Sequence, residues 1–175
     1  MKMIIFVFMK ESRYKKINIK NKKILIILFI ILISICIDQI VKQIVIKNVF
    51  NSSIQIIKGV LNFTYVENTG GAYGIGSNNI LIFIIINIII LGILMKFAIS
   101  KREEIDTISL IAISLIIAGG IGNLIDRVAR GYVIDFIDIN PVFKYPVFNI
   151  ADIFVVTGCI VIAIDLIYRT IKSKN

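Results

Sequence analysis

The 175-residue chain has no histidine and two cysteines, Cys36 and Cys159, each set in an apolar run without a CxxC neighbour. Ser-His-Asp and Cys-His catalysis, HExxH zinc sites and haem–histidine ligation are therefore excluded. The two thiols are expected to be buried spectators rather than a metal or redox pair. Carboxylates are the main catalytic resource that remains. Asp38, Asp126, Asp135, Asp138 and Asp152 all stand within or beside apolar stretches. Two carboxylates sharing a proton can do acid–base work near neutral pH, because like charges about 3 Å apart do not both ionise readily. One, ionised, takes a proton from water; the other, protonated, polarises a scissile carbonyl. Such a pair suits peptide hydrolysis without a covalent intermediate. Spacing alone does not choose the pair among these five.

The elements that position these groups are expected to be membrane helices and the segments that join them. Hydrophobic residues make up 58% of the chain, well above the 45–50% usual for soluble domains. A hydrocarbon core about 30 Å thick needs roughly 20 helical residues. Four stretches meet that length: Ile24–Ile46, Ile80–Ile99, Ile105–Val128 and Ala151–Tyr168. Their isoleucine content favours strand in water, but a lipid-exposed backbone must satisfy its own hydrogen bonds, which selects helix. The expected fold class is an all-α membrane protein of four transmembrane helices. The net charge of +9 is concentrated at the span ends, with eight of the twenty basic residues in positions 1–23. That distribution is an orientation signal rather than a nucleic-acid footprint, and no nucleic-acid partner is expected. With the N-terminus inside, fourteen basic residues lie on the inner side. Four (Lys47, Lys58, Arg130 and Lys144) lie on the outer side. Both termini are expected to be cytoplasmic. Residues 1–23 read as a basic cytoplasmic extension or surface helix, 24–170 as the membrane domain and 171–175 as a cytoplasmic tail.

This orientation gathers the polar residues of the spans at one face. Asp38 falls in the outer half of the first span, and Asn68 to Gly76 lie in the first outer segment. Asn123, Asp126 and Arg127 end the third span, Asp135 follows in the second outer segment, and Asn149 and Asp152 open the fourth span. Ionisable groups at such depth are a functional-site hypothesis by default. Each also has a structural reading. Asp38 and Lys42 are spaced to pair along a helix. Gly119, Gly120 and Gly122 suit close helix packing. Asn149 and Asp152 have the spacing of a helix cap and its first turn. Asp165 and Arg169 read as a structural pair at the opposite end. In the outer segments Leu61, Phe63 and Tyr65 alternate with Asn62, Thr64 and Val66, which predicts a strand. Together these segments predict a small extracytoplasmic platform.

Four stretches, in this order and topology, resemble the lipoprotein signal peptidases (signal peptidase II) of bacteria. They are Asp38-Gln39-Ile40-Val41-Lys42; Asn68-Thr69-Gly70-Gly71-Ala72-Tyr73-Gly74; Gly119 to Arg127, continuing through Gly131 to Asp138; and Phe148-Asn149-Ile150-Ala151-Asp152. The resemblance covers roughly residues 24–170. It implies a membrane aspartic endopeptidase with a four-helix bundle and a small β-cradle on the outer leaflet. By resemblance the catalytic aspartates fall on Asp135 and Asp152. The supporting positions match Asn68, Gly70, Asn123, Arg127 and Asn149, with Asp38 and Lys42 in the first-span motif. Such enzymes remove signal peptides from prolipoproteins, just before a cysteine that already carries diacylglycerol. They need no metal or cofactor and are blocked by globomycin-type peptides. The expected partners are lipid-modified prolipoproteins and membrane lipids, with the protein acting as a monomer in the bacterial cell membrane. This chain departs from the family pattern at Gly71, where Ala is more usual, and at Tyr73, where Phe is common. The alternative from another class is a small ion or proton transporter subunit, since intramembrane carboxylates serve there too. A conduit, however, needs ionisable groups at several depths, and the second span has none between Ile80 and Met95.

Overall fold

The structure, a computed structural model, describes residues 2–50, 52–71, 76 and 79–173, with side chains from residue 22 onward. The elements are helix α1 (Lys2–Val49), strands β1 (Ser53–Ile57) and β2 (Leu61–Asn68), helices α2 (Ile80–Ser100) and α3 (Thr107–Arg130), strand β3 (Val133–Asp138) and helix α4 (Ile150–Lys172). Segments within α1–α4 are long and apolar enough to cross a membrane; in α1 that segment is Lys22–Val49. At 1.5 Å per residue α1 is about 72 Å long, more than twice a bilayer core. Residues 2–21 continue it without a break.

Helix α3 is the centre of the bundle and packs against all three others. Its sequence explains why. The buried positions of α3 include Ser109, Ala112, Ser114, Ala118, Gly119 and Gly122, small residues that let neighbouring backbones approach. A Cβ at Gly119 would lie 2.2 Å from the Ala151 carbonyl oxygen of α4, and one at Gly120 would lie 2.8 Å from Leu91 of α2. The glycine cluster therefore does the packing work expected of it. Large apolar side chains point outward instead: Leu25, Phe29, Leu81, Ile93 and Tyr168 are all more than 60% exposed. In a membrane protein this surface is solvated by lipid tails, so exposure of apolar residues costs nothing.

The same inversion corrects one expectation. Cys36 and Cys159 are free and exposed on the outside of α1 and α4, not buried. An apolar neighbourhood in the sequence implies burial only when the surroundings are water.

The end of the bundle that holds the α2–α3 loop is fastened by polar contacts. Lys23 Nζ donates to the carbonyls of Arg102 and Ile105 at 2.7 and 2.9 Å. Asp106 caps α3 by accepting from the Ser109 N–H at 3.0 Å. Arg169 pairs with Asp165 at 2.7 Å and also with Asp106, so the expected structural pair is present and joined to a helix cap.

At the opposite end a three-stranded antiparallel sheet, ordered β1-β2-β3, lies over the bundle. The predicted strand is β2. Its burial does not alternate: every residue but Glu67 is half-buried, and a bulge interrupts its register with β3 between Phe63 and Val66. Four consecutive residues of β3, Val133 to Phe136, are buried. Ile134 and Phe136 form a core cluster with Val45 and Val49 at the end of α1. This cluster seats the sheet on the bundle and fixes the position of the residue between them, Asp135.

Candidate active site

Three local structures bring the polar residues together. Helix α3 ends at Gly131, whose φ of +82° lets the chain leave the helix and enter β3 after one further residue. Strand β3 sets Asp135 opposite Val66 and Val133 opposite Asn68 of β2. On its other side, Phe136 and Ile137 donate their N–H groups to the Phe148 carbonyl at 2.9 and 2.7 Å. That contact delivers Asn149, the cap of α4, to the flank of Asp135.

Asp135 is 3% exposed. Its Oδ2 accepts from Asn68 Nδ2 at 2.9 Å and its Oδ1 from Asn149 Nδ2 at 2.7 Å. Asn149 Nδ2 also donates to Asn123 Oδ1 at 3.1 Å, and Asn123 Nδ2 donates to Asp152 Oδ1 at 2.8 Å. Two amides thus link the two carboxylates in one chain of hydrogen bonds. Asp152 Oδ2 accepts the Asn149 N–H at 3.1 Å, while Asn149 Oδ1 accepts the Asp152 N–H at 3.0 Å, a complete capping box. Both aspartates face one cavity of about 260 Å³, which is also lined by Asn68, Asn123 and Arg127 and walled by Tyr145, Phe148 and Val155.

Burial pushes the Asp135 carboxyl up to about 7, and the neighbouring Asp152 charge adds to the rise. The bonds from Asn68 and Asn149 and the charge of Lys42 oppose it. A carboxyl so placed holds its proton close to neutral pH. Gly70 fixes the Asn68 amide: its N–H donates to Asn68 Oδ1 at 3.0 Å, which turns the amide nitrogen toward Asp135. The Gly70 carbonyl in turn accepts from Arg127 Nη2 at 3.1 Å. The Arg127 guanidinium lies 5.5 Å from the Phe83 ring centroid. Its Nε is buried and has no hydrogen-bond partner among the described residues.

Behind the cavity, Asp38 and Lys42 are fully buried and pair at 2.9 Å. They do more than neutralise each other. Asp38 Oδ1 accepts the Ala151 N–H at 3.1 Å, satisfying a donor in the first turn of α4. Lys42 also pairs with Asp126 at 2.7 Å and donates to Asn123 Oδ1 at 3.1 Å. Gly122 makes room for this cluster, since a Cβ there would lie 2.6 Å from Asp38 Oδ2.

All nine residues singled out from the sequence (Asp38, Lys42, Asn68, Gly70, Asn123, Arg127, Asp135, Asn149 and Asp152) therefore belong to one connected polar cluster. Asp138 stands apart from it. Its carboxylate accepts from Thr64 at 3.2 Å and from the Asn140 N–H at 2.9 Å, on the sheet surface. Asp126 was a candidate by type but had no place in the expected site. It is fully buried, bonded to Lys42, Arg130 and Gln39, and it accepts the Ile134 N–H at 3.3 Å. The signal for it was an acid nineteen residues into a span, which demands partners; Arg130, four residues on, is one of them. Tyr73 lies outside the described residues.

The sequence profile of the family described as Signal peptidase (SPase) II matches residues 30–168. A lipoprotein signal peptidase of Clostridioides difficile (strain 630) is 39% identical over 148 residues, 84% of this chain and 98% of that protein. One from Staphylococcus aureus is 41% identical over 155 residues, 87% of this chain and 91% of that protein. A bacterial membrane enzyme solved by the in meso method at 2.3 Å resolution superposes with a TM-score of 0.71 at 38% identity, covering 86% of this chain and 90% of that one.

Proposed function

The chain belongs to the signal peptidase II family and is a multi-pass membrane peptidase; from that premise we propose that it removes signal peptides from diacylglyceryl-modified prolipoproteins, with Asp135 and Asp152 as an aspartic dyad. The observation that carries the reading is the amide chain Asp135–Asn149–Asn123–Asp152 at the wall of one cavity. Two carboxylates so held, one of them buried enough to keep its proton near neutral pH, meet the requirement for activating water against a carbonyl.

In this mechanism Asp152 is the ionised partner. It sits in the first turn of α4, where the helix dipole and the Asn123 and Asn149 donors favour negative charge. Asp152 takes a proton from water as the water oxygen attacks the scissile carbonyl carbon. Asp135 gives its proton to the carbonyl oxygen. In the collapse of the tetrahedral intermediate, the proton held by Asp152 passes to the leaving amide nitrogen and the C–N bond breaks. Asp135 recovers its proton from the diol hydroxyl, so the dyad ends as it began. The Arg127 Nε, without a partner among the described residues, is suited to donate to a substrate backbone carbonyl.

The lipid specificity has its own support. An adjoining cavity, also about 260 Å³, is lined by Ile139, Ile153 and Thr157 together with Tyr145, Phe148, Asp152 and Val156, which it shares with the first. It is apolar, as a site for acyl chains beside the scissile bond should be. The distribution of basic residues supports cytoplasmic termini and a dyad near the extracytoplasmic leaflet, the leaflet in which a lipidated precursor would arrive. The rival reading as a transporter subunit lacks support of this kind, since the ionisable groups of the spans collect at the two ends of the bundle among the described residues.

A gel-shift assay in detergent tests the proposal. The purified protein should cleave a diacylglyceryl-modified prolipoprotein and leave the unlipidated precursor intact. Equal cleavage of both, or of neither by folded protein, contradicts it.

A further inference from the structure

Lys42 has no exposed surface and does not line the cavity. Its ammonium carries three hydrogens and meets three acceptors: Asp38 at 2.9 Å, Asp126 at 2.7 Å and Asn123 Oδ1 at 3.1 Å. Charge neutrality explains the two carboxylates. Asp126 has a second cation in Arg130, 2.5 Å away, so two acids and two bases balance within the cluster. The third bond, to an uncharged amide, is not needed for that balance.

It has a consequence for Asn123. A side-chain amide presents a carbonyl at one end and an NH2 at the other, and the two ends have nearly the same shape. Only the NH2 end can donate to Asp152. Lys42 is donor-only, and Asn149 Nδ2 points at the same oxygen, so Asn123 Oδ1 must face these two donors. A flipped amide would set its NH2 against an ammonium and its oxygen against the Asp152 carboxylate. The Lys42 ammonium beside Oδ1 also polarises the amide, which strengthens the N–H···O bond at its other end.

We propose that Lys42 is a positioning residue that acts on Asp152 through Asn123. The proposal rests on the aspartic-dyad reading above. It predicts that the contribution of Lys42 to catalysis depends on Asn123 being present, whereas a merely structural lysine would contribute independently of it.

The test is a double-mutant cycle on the full-length protein in detergent, with the lipidated prolipoprotein as substrate and thermal unfolding as the check on folding. Lys42→Met should lower kcat about ten- to a hundredfold, the scale of a misplaced catalytic group, with KM changed less than about twofold. Lys42→Gln, which keeps an N–H donor, should recover part of kcat. In the Asn123→Ala background the same substitutions should change kcat by less than about twofold. An equal loss in both backgrounds, or a loss confined to KM or to the unfolding midpoint, overturns the proposal. If Lys42→Met does not fold, Lys42→Gln carries the same comparison. Failure of the wild type to cleave the lipidated substrate removes the dyad reading and this inference with it. Cleavage by the wild type with an additive cycle removes this inference alone.

Discussion

Asn149 and Asp152 hold each other at the start of α4, each accepting the other's backbone N–H, at 3.0 and 3.1 Å. The same two side chains reach the candidate site, Asn149 donating to Asp135 and Asp152 accepting from Asn123. A helix cap and half of the proposed dyad are thus one structure. The cap fixes the Asp152 carboxylate without a long or mobile side chain, and the helix N-terminus favours its negative charge.

Asp138 ends β3 three residues after Asp135, but its carboxylate is taken up by Thr64 and Asn140 on the sheet surface. Asp138→Asn is expected to keep kcat/KM within about threefold of wild type, as surface substitutions usually do. Loss of activity comparable to Asp135→Asn would mean that the sheet surface takes part in the reaction.

Asn68 donates to Asp135, and that bond holds the Asp135 carboxyl lower than burial alone would. The proposed mechanism uses Asp135 in its protonated form, so it predicts that activity falls as pH rises past about 7. Asn68→Ala removes a bond that favours the ionised form, and the alkaline limb of the pH–kcat profile is expected to move to higher pH. A limb that stays in place or moves down would show that Asn68 does not act on this ionisation.

Asp135 also couples folding to pH. Burial raises its folded-state value from the ordinary 3.8 to about 7, so the folded protein binds more protons than the unfolded chain between these limits. Its contribution to stability is therefore greatest below pH 4 and declines until about pH 7. Asp135→Asn lacks this decline. Thermal unfolding in detergent should show the variant gaining on wild type between pH 5 and pH 8. An unchanged difference across that range would contradict the burial-driven shift.

Gly122 faces a carboxylate that cannot retreat, because Asp38 is bound to Lys42 and to the Ala151 N–H. Gly122→Ala should lower stability by about 1–3 kcal/mol through overpacking and displace the start of α4, with activity falling as well. Wild-type stability and activity in this variant would show that the cluster has slack.

The four spans are legible because a lipid-crossing helix needs only length and apolarity, and the gathering of their polar residues at one end follows from the alternating direction of successive spans. The fold differs at the margins: α4 runs on to Lys172 rather than Tyr168, since Arg169 and Lys172 extend it past the apolar stretch. Asp135 was legible as a residue of the segment between the third and fourth spans but not as a strand residue. Its burial depends on pairing between β2 and β3, which are separated by α2 and α3 in the chain. Asp126 was legible as a candidate carboxylate but not as a partner of Lys42, which lies on another helix. The cysteines were misread because apolar context means lipid exposure in this fold as often as burial. Asn149 and Asp152 are ambiguous between cap and catalyst for a physical reason: together they form the cap, while Asp152 also lines the cavity and Asn149 bonds Asp135.

The central claim is that Asp135 and Asp152 act together on the scissile bond. Single-turnover cleavage of a diacylglyceryl-modified prolipoprotein by wild type, Asp135→Asn and Asp152→Asn tests it most directly, with thermal unfolding confirming that all three are folded. Each variant should lose about a thousandfold or more in rate while remaining folded. Robust cleavage by either folded variant would contradict the dyad.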